Sequence, residues 1–136
     1  DSFTNFENLT GGEATDYLYG NGGTNRIEGR AGNDWMGGYG GNDTLFGGAG
    51  SDFFLFEWGF DTERVMDFLP GGGNEDILYI NLGEPFDTLE EVMAVGAQVG
   101  GNTVFTFLPG QLLILQGVTM TDLTAQDFAF PVPEEW

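Results

Sequence analysis

Short oxygen-bearing side chains recur at a fixed interval through the first half of the chain: Asp16, Asn25, Asp34, Asp43 and Asp52 stand nine residues apart, and Asp61 stands nine further on. Such residues offer hard oxygen ligands. The sequence contains neither His nor Cys, so the usual donors of a zinc site are missing. Ca²⁺ suits what is present, because it takes roughly 6 to 8 oxygens in flexible geometry, whereas Mg²⁺ asks for a stricter octahedron. The charge balance also calls for a cation: 22 acidic residues against three arginines (Arg26, Arg30, Arg64) give a net charge of -19. A chain so charged repels itself and resists compaction. The same imbalance argues against nucleic acid or an anionic membrane as partner, since phosphate binding needs clustered Lys and Arg.

The residues between these side chains indicate the elements that position them. Five units, 11–19, 20–28, 29–37, 38–46 and 47–55, follow one another without insertion or deletion. Each opens with Gly, has Gly at position four except for Ala14, and is apolar at position eight: Leu18, Ile27, Met36, Leu45 and Phe54. Positions one to six favour tight turns and positions seven to nine a short strand. Two units then make one coil, so that eighteen residues bring the chain back to the same side about 4.8 Å further on. Position six forms two files, Asp16, Asp34 and Asp52 on one edge and Asn25, Asp43 and Asp61 on the other. Carboxylates stacked at that spacing repel unless a cation lies between them. Leu9 extends the apolar series backwards, while Gly59 and Asp61 fit positions four and six of a sixth unit.

Units such as GYGGNDTLF resemble the RTX, or haemolysin-type, calcium-binding nonapeptide G-G-x-G-x-D-x-U-x. The resemblance implies an all-β, right-handed parallel β-roll with several Ca²⁺ ions held between successive turns on the same side. It also implies ligands: carbonyls of positions one and three from an earlier turn, carbonyls of positions two and four from a later turn, and both position-six side chains. One site is then expected from Gly29, Ala31 and Asp34 with Gly48, Gly50 and Asp52. A second is expected from Gly38, Gly40 and Asp43 with Glu57, Gly59 and Asp61. Two weaker sites pair Asp16 with Asp34, using Gly32, and Asn25 with Asp43, using Gly41. Glu13 and Ala14 depart from the pattern in the first of these, and an amide replaces a carboxylate in the second.

The expected organisation is a pre-repeat over 1–10, the roll over 11–64, closing strands and a cap over 65–130, and a tail over 131–136. Residues 61–80 resemble the segment that closes such rolls, with Asp67 and Asp76 as further ligands or as acceptors of turn and capping hydrogen bonds. A capping residue followed by acids predicts a short helix over 88–95. Paired strands are predicted over 103–108 and 112–116, covering the open end of the roll and its unpaired strand edges.

The outward positions of the odd units carry Tyr17, Tyr19, Trp35, Phe53 and Leu55. This strip is expected to be covered by the cap or a neighbouring domain, ahead of serving as a platform for sugar rings. Without His, Cys or Lys, and with only Ser2 and Ser51, no nucleophile–base triad can be assembled, so the module itself is expected to be non-catalytic. There is no apolar run of about 20 residues for membrane insertion and no basic-then-apolar signal at the N-terminus. The chain starts at Asp1 and is read as a piece of something longer. The resemblance implies a C-terminal module of a secreted, extracellular bacterial protein that uses type I secretion machinery. The competing expectation is an accessory module binding an acidic polysaccharide, similar to those of alginate-modifying epimerases and lyases.

Overall fold

The computed structural model describes residues 2–3, 8–57, 59–70, 76–83 and 85–131. The roll begins with five strands of two or three residues: β1 (Ser2–Phe3), β2 (Asn8–Thr10), β3 (Tyr17–Tyr19), β4 (Arg26–Glu28) and β5 (Trp35–Gly37). Longer strands follow: β6 (Gly41–Phe46), β7 (Phe53–Glu57), β8 (Phe60–Val65) and β9 (Ile77–Asn81). A helix α1 (Leu89–Ala94) leads into β10 (Gly96–Val99), β11 (Asn102–Leu108), β12 (Gln111–Leu115) and β13 (Phe128–Ala129). Odd and even strands of the roll separate into two sheets, ordered β1-β3-β5-β7-β9-β13 and β10-β11-β12-β8-β6-β4-β2. The architecture is a parallel β-roll, antiparallel only where β12, β11 and β10 meet.

Strand alternation turns position eight inward from both sheets. Leu9, Ile27, Leu45 and Val65 are aligned across the second sheet, and Leu18, Met36, Phe54 and Leu78 across the first. All eight are buried. This core is thin. One inward apolar side chain for every nine residues therefore leaves the roll dependent on its turns for stability.

Beyond β7 the core thickens and the eighteen-residue step fails. Phe56 and Phe60 are both buried and meet edge to face at 6.0 Å, and Phe107 from the cap contacts Phe60 at 6.1 Å and Phe86 at 5.0 Å. To seat these rings β7 runs on to Glu57, and more chain is spent before each return. Phe53 aligns with Ile77, a step of twenty-four, and Thr44 with Arg64, a step of twenty. The expected strand pair is present, β11 and β12 forming an antiparallel hairpin, and β12 then returns parallel to β8, a pairing that the sequence did not indicate. Helix α1 starts after Thr88, whose side chain accepts a hydrogen bond from the Glu91 N–H. No helix among the described residues is long and apolar enough to cross a membrane. Of the expected pre-repeat, residues 1 and 4–7 lie outside the described residues, as do 132–136 of the expected tail.

Candidate metal centre

The position-six side chains Asp16, Asn25, Asp34, Asp43 and Asp52 are buried, each two residues before an inward apolar side chain. In the first file the Asp16 N–H donates to Asp34 Oδ1 at 2.8 Å, the Asp34 N–H to Asp52 Oδ1 at 2.9 Å, and the Asp52 N–H to Asp76 Oδ1 at 3.0 Å. In the second file the Asn25 N–H donates to Asp43 Oδ1 at 2.6 Å. One carboxylate oxygen of each pair is thus spent on aligning adjacent coils. The other oxygens differ. Those of Asp34, Asp43 and Asp52 (Oδ2) are buried without a hydrogen-bond partner, whereas Asp16 Oδ2 accepts from the Gly12 N–H at 2.7 Å and Asp76 Oδ2 from the Leu69 N–H at 2.9 Å.

The turns bring backbone oxygens to the same places. Asp34 Oδ2 lies against Gly29 Cα, where a methyl group would also sit 2.7 Å from the Gly47 carbonyl oxygen of the next coil. Only a residue without a side chain leaves that space open. Gly32, Gly48 and Gly50 adopt φ of +104°, +85° and +101°, and Arg30 is left-handed as well at +74°. A methyl group on Gly32 would lie 2.6 Å from the Ala14 carbonyl oxygen, so the carbonyls of one coil are stacked under the glycines of the next. Gly41, at φ +86°, sits over the Gly23 carbonyl oxygen in the same way, 2.5 Å from where its methyl would be.

The electrostatics follow from burial without countercharge. Burial pushes the Asp34 and Asp43 carboxyls above their ordinary range. Asp52 rises to about 8, first from burial and then from the neighbouring charges of Asp76, Asp34 and Asp67. Asp76 rises to about 6 for the same leading reason. Asp16 moves the other way, held down by the Gly12 N–H. Arg26 pairs with Glu28, and Arg64 donates to Gln116 Oε1 at 2.8 Å, so these two arginines are engaged elsewhere. Buried oxygen donors, anionic at neutral pH when paired with a cation and ringed by carbonyls, fit Ca²⁺. Among the described residues no three acidic side chains converge on one point. Carbonyls must therefore complete any coordination shell.

Of the residues expected in the first site, Gly29, Ala31 and Asp34 lie on the coil adjacent to Gly48, Gly50 and Asp52, with the Asp34 N–H donating to Asp52 Oδ1. The second is rearranged. Asp43 aligns with Glu63 and Gly41 with Phe60, so Asp61 falls two residues short of the file and is exposed. Glu57 ends β7, paired with Asn81. Gly59, at φ +106°, still presents its carbonyl beside Gly40, 3.4 Å from where a methyl there would be. Glu63 was not a sequence candidate, yet it is 1% exposed and neither of its carboxylate oxygens has a hydrogen-bond partner. The legible signal was an acid two residues before an inward apolar side chain: Glu63 and Val65 repeat the spacing of Asp43 and Leu45. Asp67 accepts from the Gly47 and Gly48 N–H groups at 2.8 and 2.9 Å, the turn-capping arrangement of the two that its sequence allowed.

The aromatic strip lies on the outer face of the first sheet. Trp35 stacks on Phe53 at 4.2 Å with planes 5° apart, and Tyr19 meets Tyr39 at 5.7 Å. The cap extends the second sheet instead of crossing this face, leaving Tyr17 44% exposed and Trp35 and Phe53 half-buried.

Residues 4–36 and 31–63 match the family described as the RTX calcium-binding nonapeptide repeat, in 4 copies. No curated protein matches the chain. Among solved structures, an extracellular lipase of Serratia marcescens superposes with a TM-score of 0.55 and 22% identity, covering 90% of this chain and 20% of the lipase. That likeness is one of fold. A subunit of the mannuronan C5-epimerase of Azotobacter vinelandii aligns at 24% identity over 88% of this chain and 80% of that subunit, with a TM-score of 0.35.

Proposed function

We propose, for a chain whose residues 4–63 are RTX calcium-binding nonapeptide repeats, that this is a non-catalytic module which folds when Ca²⁺ enters its turns and so stabilises a larger extracellular protein. The observation that carries the reading is the set of buried, unpartnered oxygens of Asp34, Asp43 and Asp52 in a chain with three arginines and 22 acids. Gly29, Ala31, Asp34, Gly48, Gly50 and Asp52 would hold one ion; Ca²⁺ there supplies the positive charge that the chain lacks. The weaker expected sites, Asp16 with Asp34 and Asn25 with Asp43, differ as their ligands do. Asp16 Oδ2 is already taken by a backbone N–H, and Asn25 brings no charge.

Extracellular calcium sites bind with Kd of about 10⁻⁴ to 10⁻³ M. At cytosolic calcium levels such a chain stays open and exportable; outside, ions bind only the folded state and stabilise it by mass action. Export by type I machinery is the route that the family resemblance supplies. Calorimetric titration of the chain with Ca²⁺ tests the reading: saturable binding coupled to a large heat of folding is expected, and absence of binding at millimolar Ca²⁺ overturns it.

A second reading is favoured by the partly exposed Trp35–Phe53 stack. Flat aromatic faces of this kind stack on sugar rings, and an acidic polysaccharide would need bound Ca²⁺ to offset the net charge of -19. Affinity electrophoresis in polyuronate gels with and without Ca²⁺ separates this reading from the first: retardation only with Ca²⁺ supports it, and equal mobility in gels with and without glycan refutes it.

A further inference from the structure

The two files end differently. In the first, Asp76 closes the series with both oxygens hydrogen-bonded to backbone N–H groups. In the second, Glu63 closes it with neither oxygen partnered, and the next residue in register across the sheet is Leu113 of β12. Glu63 is therefore a buried acid at the junction of roll and cap, with the Asp43 carboxyl, whose Oδ1 accepts the Asn25 N–H, in direct interaction on one side and an apolar strand on the other.

Its direction is set by Gly38. At Gly11, Gly20 and Gly29 a methyl group would lie 2.8, 2.7 and 2.7 Å from the position-one carbonyl oxygen of the next coil. At Gly38, where the step to the next coil is twenty residues, a methyl group would instead meet two acidic oxygens, Asp43 Oδ2 and Glu63 Oε2, the latter at 2.5 Å. The longer Glu side chain reaches where an Asp in the same register would fall short. Two acidic oxygens thus meet at the Gly38 turn, and the Gly59 carbonyl lies beside Gly40, two residues further along the same turn.

We infer that Glu63, in place of Asp61, joins Asp43 in holding a Ca²⁺ ion at the junction between the roll and the β10–β12 cap. The ion neutralises the two facing carboxylates and ties β8, which carries Glu63, to the coil that carries Asp43. Because β12 is built on β8, occupancy at this point fixes the cap. The inference rests on the calcium-folding reading proposed above.

The test compares the full chain with Glu63→Gln, Asp61→Asn and Glu63→Asp, measuring Ca²⁺ stoichiometry by flow dialysis and amide exchange across residues 111–115. Glu63→Gln is expected to lose one equivalent of Ca²⁺ and to lower cap protection at least tenfold in Ca²⁺, while Asp61→Asn keeps both. If Glu63 were only a buried acid holding a proton, its neutral isostere would keep the full ion count, and that result overturns the inference. Loss of an ion from Asp61→Asn with none lost from Glu63→Gln overturns it as well. Should Glu63→Gln fail to fold, Glu63→Asp decides: its withdrawn carboxylate is expected to weaken the last ion about tenfold, and unchanged affinity refutes the assignment. A parent chain that binds no Ca²⁺ at all removes the calcium reading and this inference together, whereas normal parent binding with an unaltered Glu63→Gln removes this inference alone.

Discussion

Replacing Asp52 by Asn should stabilise the metal-free chain and diminish the stabilisation that calcium adds. Asp52 is fully buried, its Oδ1 accepts the Asp34 N–H and its Oδ2 has no partner. Burial raises its carboxyl from 3.8 to about 8, so at neutral pH the metal-free folded chain must take up a proton that the unfolded chain does not. At about 1.4 kcal/mol per pH unit, the resulting penalty has an upper bound on the order of 4 kcal/mol. Small domains are stable by only about 5 to 15 kcal/mol in total. Asn keeps the Oδ1 acceptor and removes the penalty, so in chelator Asp52→Asn should be the more stable chain. In saturating Ca²⁺ the same change deletes a charged ligand. A ligand present at 100 times its Kd contributes about 2.7 kcal/mol, so calcium should stabilise the variant by about that much less than it stabilises the parent. Urea unfolding followed by circular dichroism, at neutral pH with chelator and again with Ca²⁺, reads both effects. Destabilisation of similar size in both media would refute the reasoning, reducing Asp52 to a structural hydrogen-bond acceptor.

Three other outcomes follow from the same geometry. Without metal, the folded form should be favoured at acid pH. The raised carboxyls bind more protons folded than unfolded, so their contribution is complete below about pH 4 and is lost as pH rises through about 6 for Asp76 and about 8 for Asp52; a chelator-treated chain whose ellipticity is flat between those limits would contradict this. Gly29→Ala places a methyl against Asp34 Oδ2 and 2.7 Å from the Gly47 carbonyl oxygen and should lower stability in Ca²⁺ by about 1 to 3 kcal/mol. Gly22→Ala, with nothing within 4 Å, should be near neutral, and equal thermal midpoints for the two variants would count against the packed turn. Trp35→Ala should leave calcium-induced folding intact while abolishing any retardation in polyuronate gels; retained retardation would remove the aromatic face from consideration as a sugar platform.

The roll was legible because its physics is local. A turn that needs Gly, a carboxylate that must point into it and one apolar side chain per strand leave a residue-level imprint, and Asp16 to Phe54 follow it without a break. The register after Phe54 was not legible. It depends on Phe56 and Phe60 entering a core completed by Phe107, about fifty residues later in the chain, and no nine-residue pattern carries that information. Counting in nines therefore selected Asp61. The acid-to-apolar spacing, which survives the change of step at Glu63 and Val65 and again at Asp76 and Leu78, would have selected the residues that the structure brings into the files. The cap hairpin was readable from Pro109 and Gly110 between two apolar runs, but its return beside β8 is tertiary and was not.

The dependence of folding on calcium is tested most directly by far-ultraviolet circular dichroism of the whole chain during titration with Ca²⁺, repeated with Mg²⁺ and with chelator. The account predicts a disordered spectrum in chelator at neutral pH, a cooperative rise of β-sheet signal as Ca²⁺ passes through the range of about 10⁻⁴ to 10⁻³ M, and little response to Mg²⁺ at the same concentrations. A chain already folded in chelator and indifferent to Ca²⁺ would contradict it.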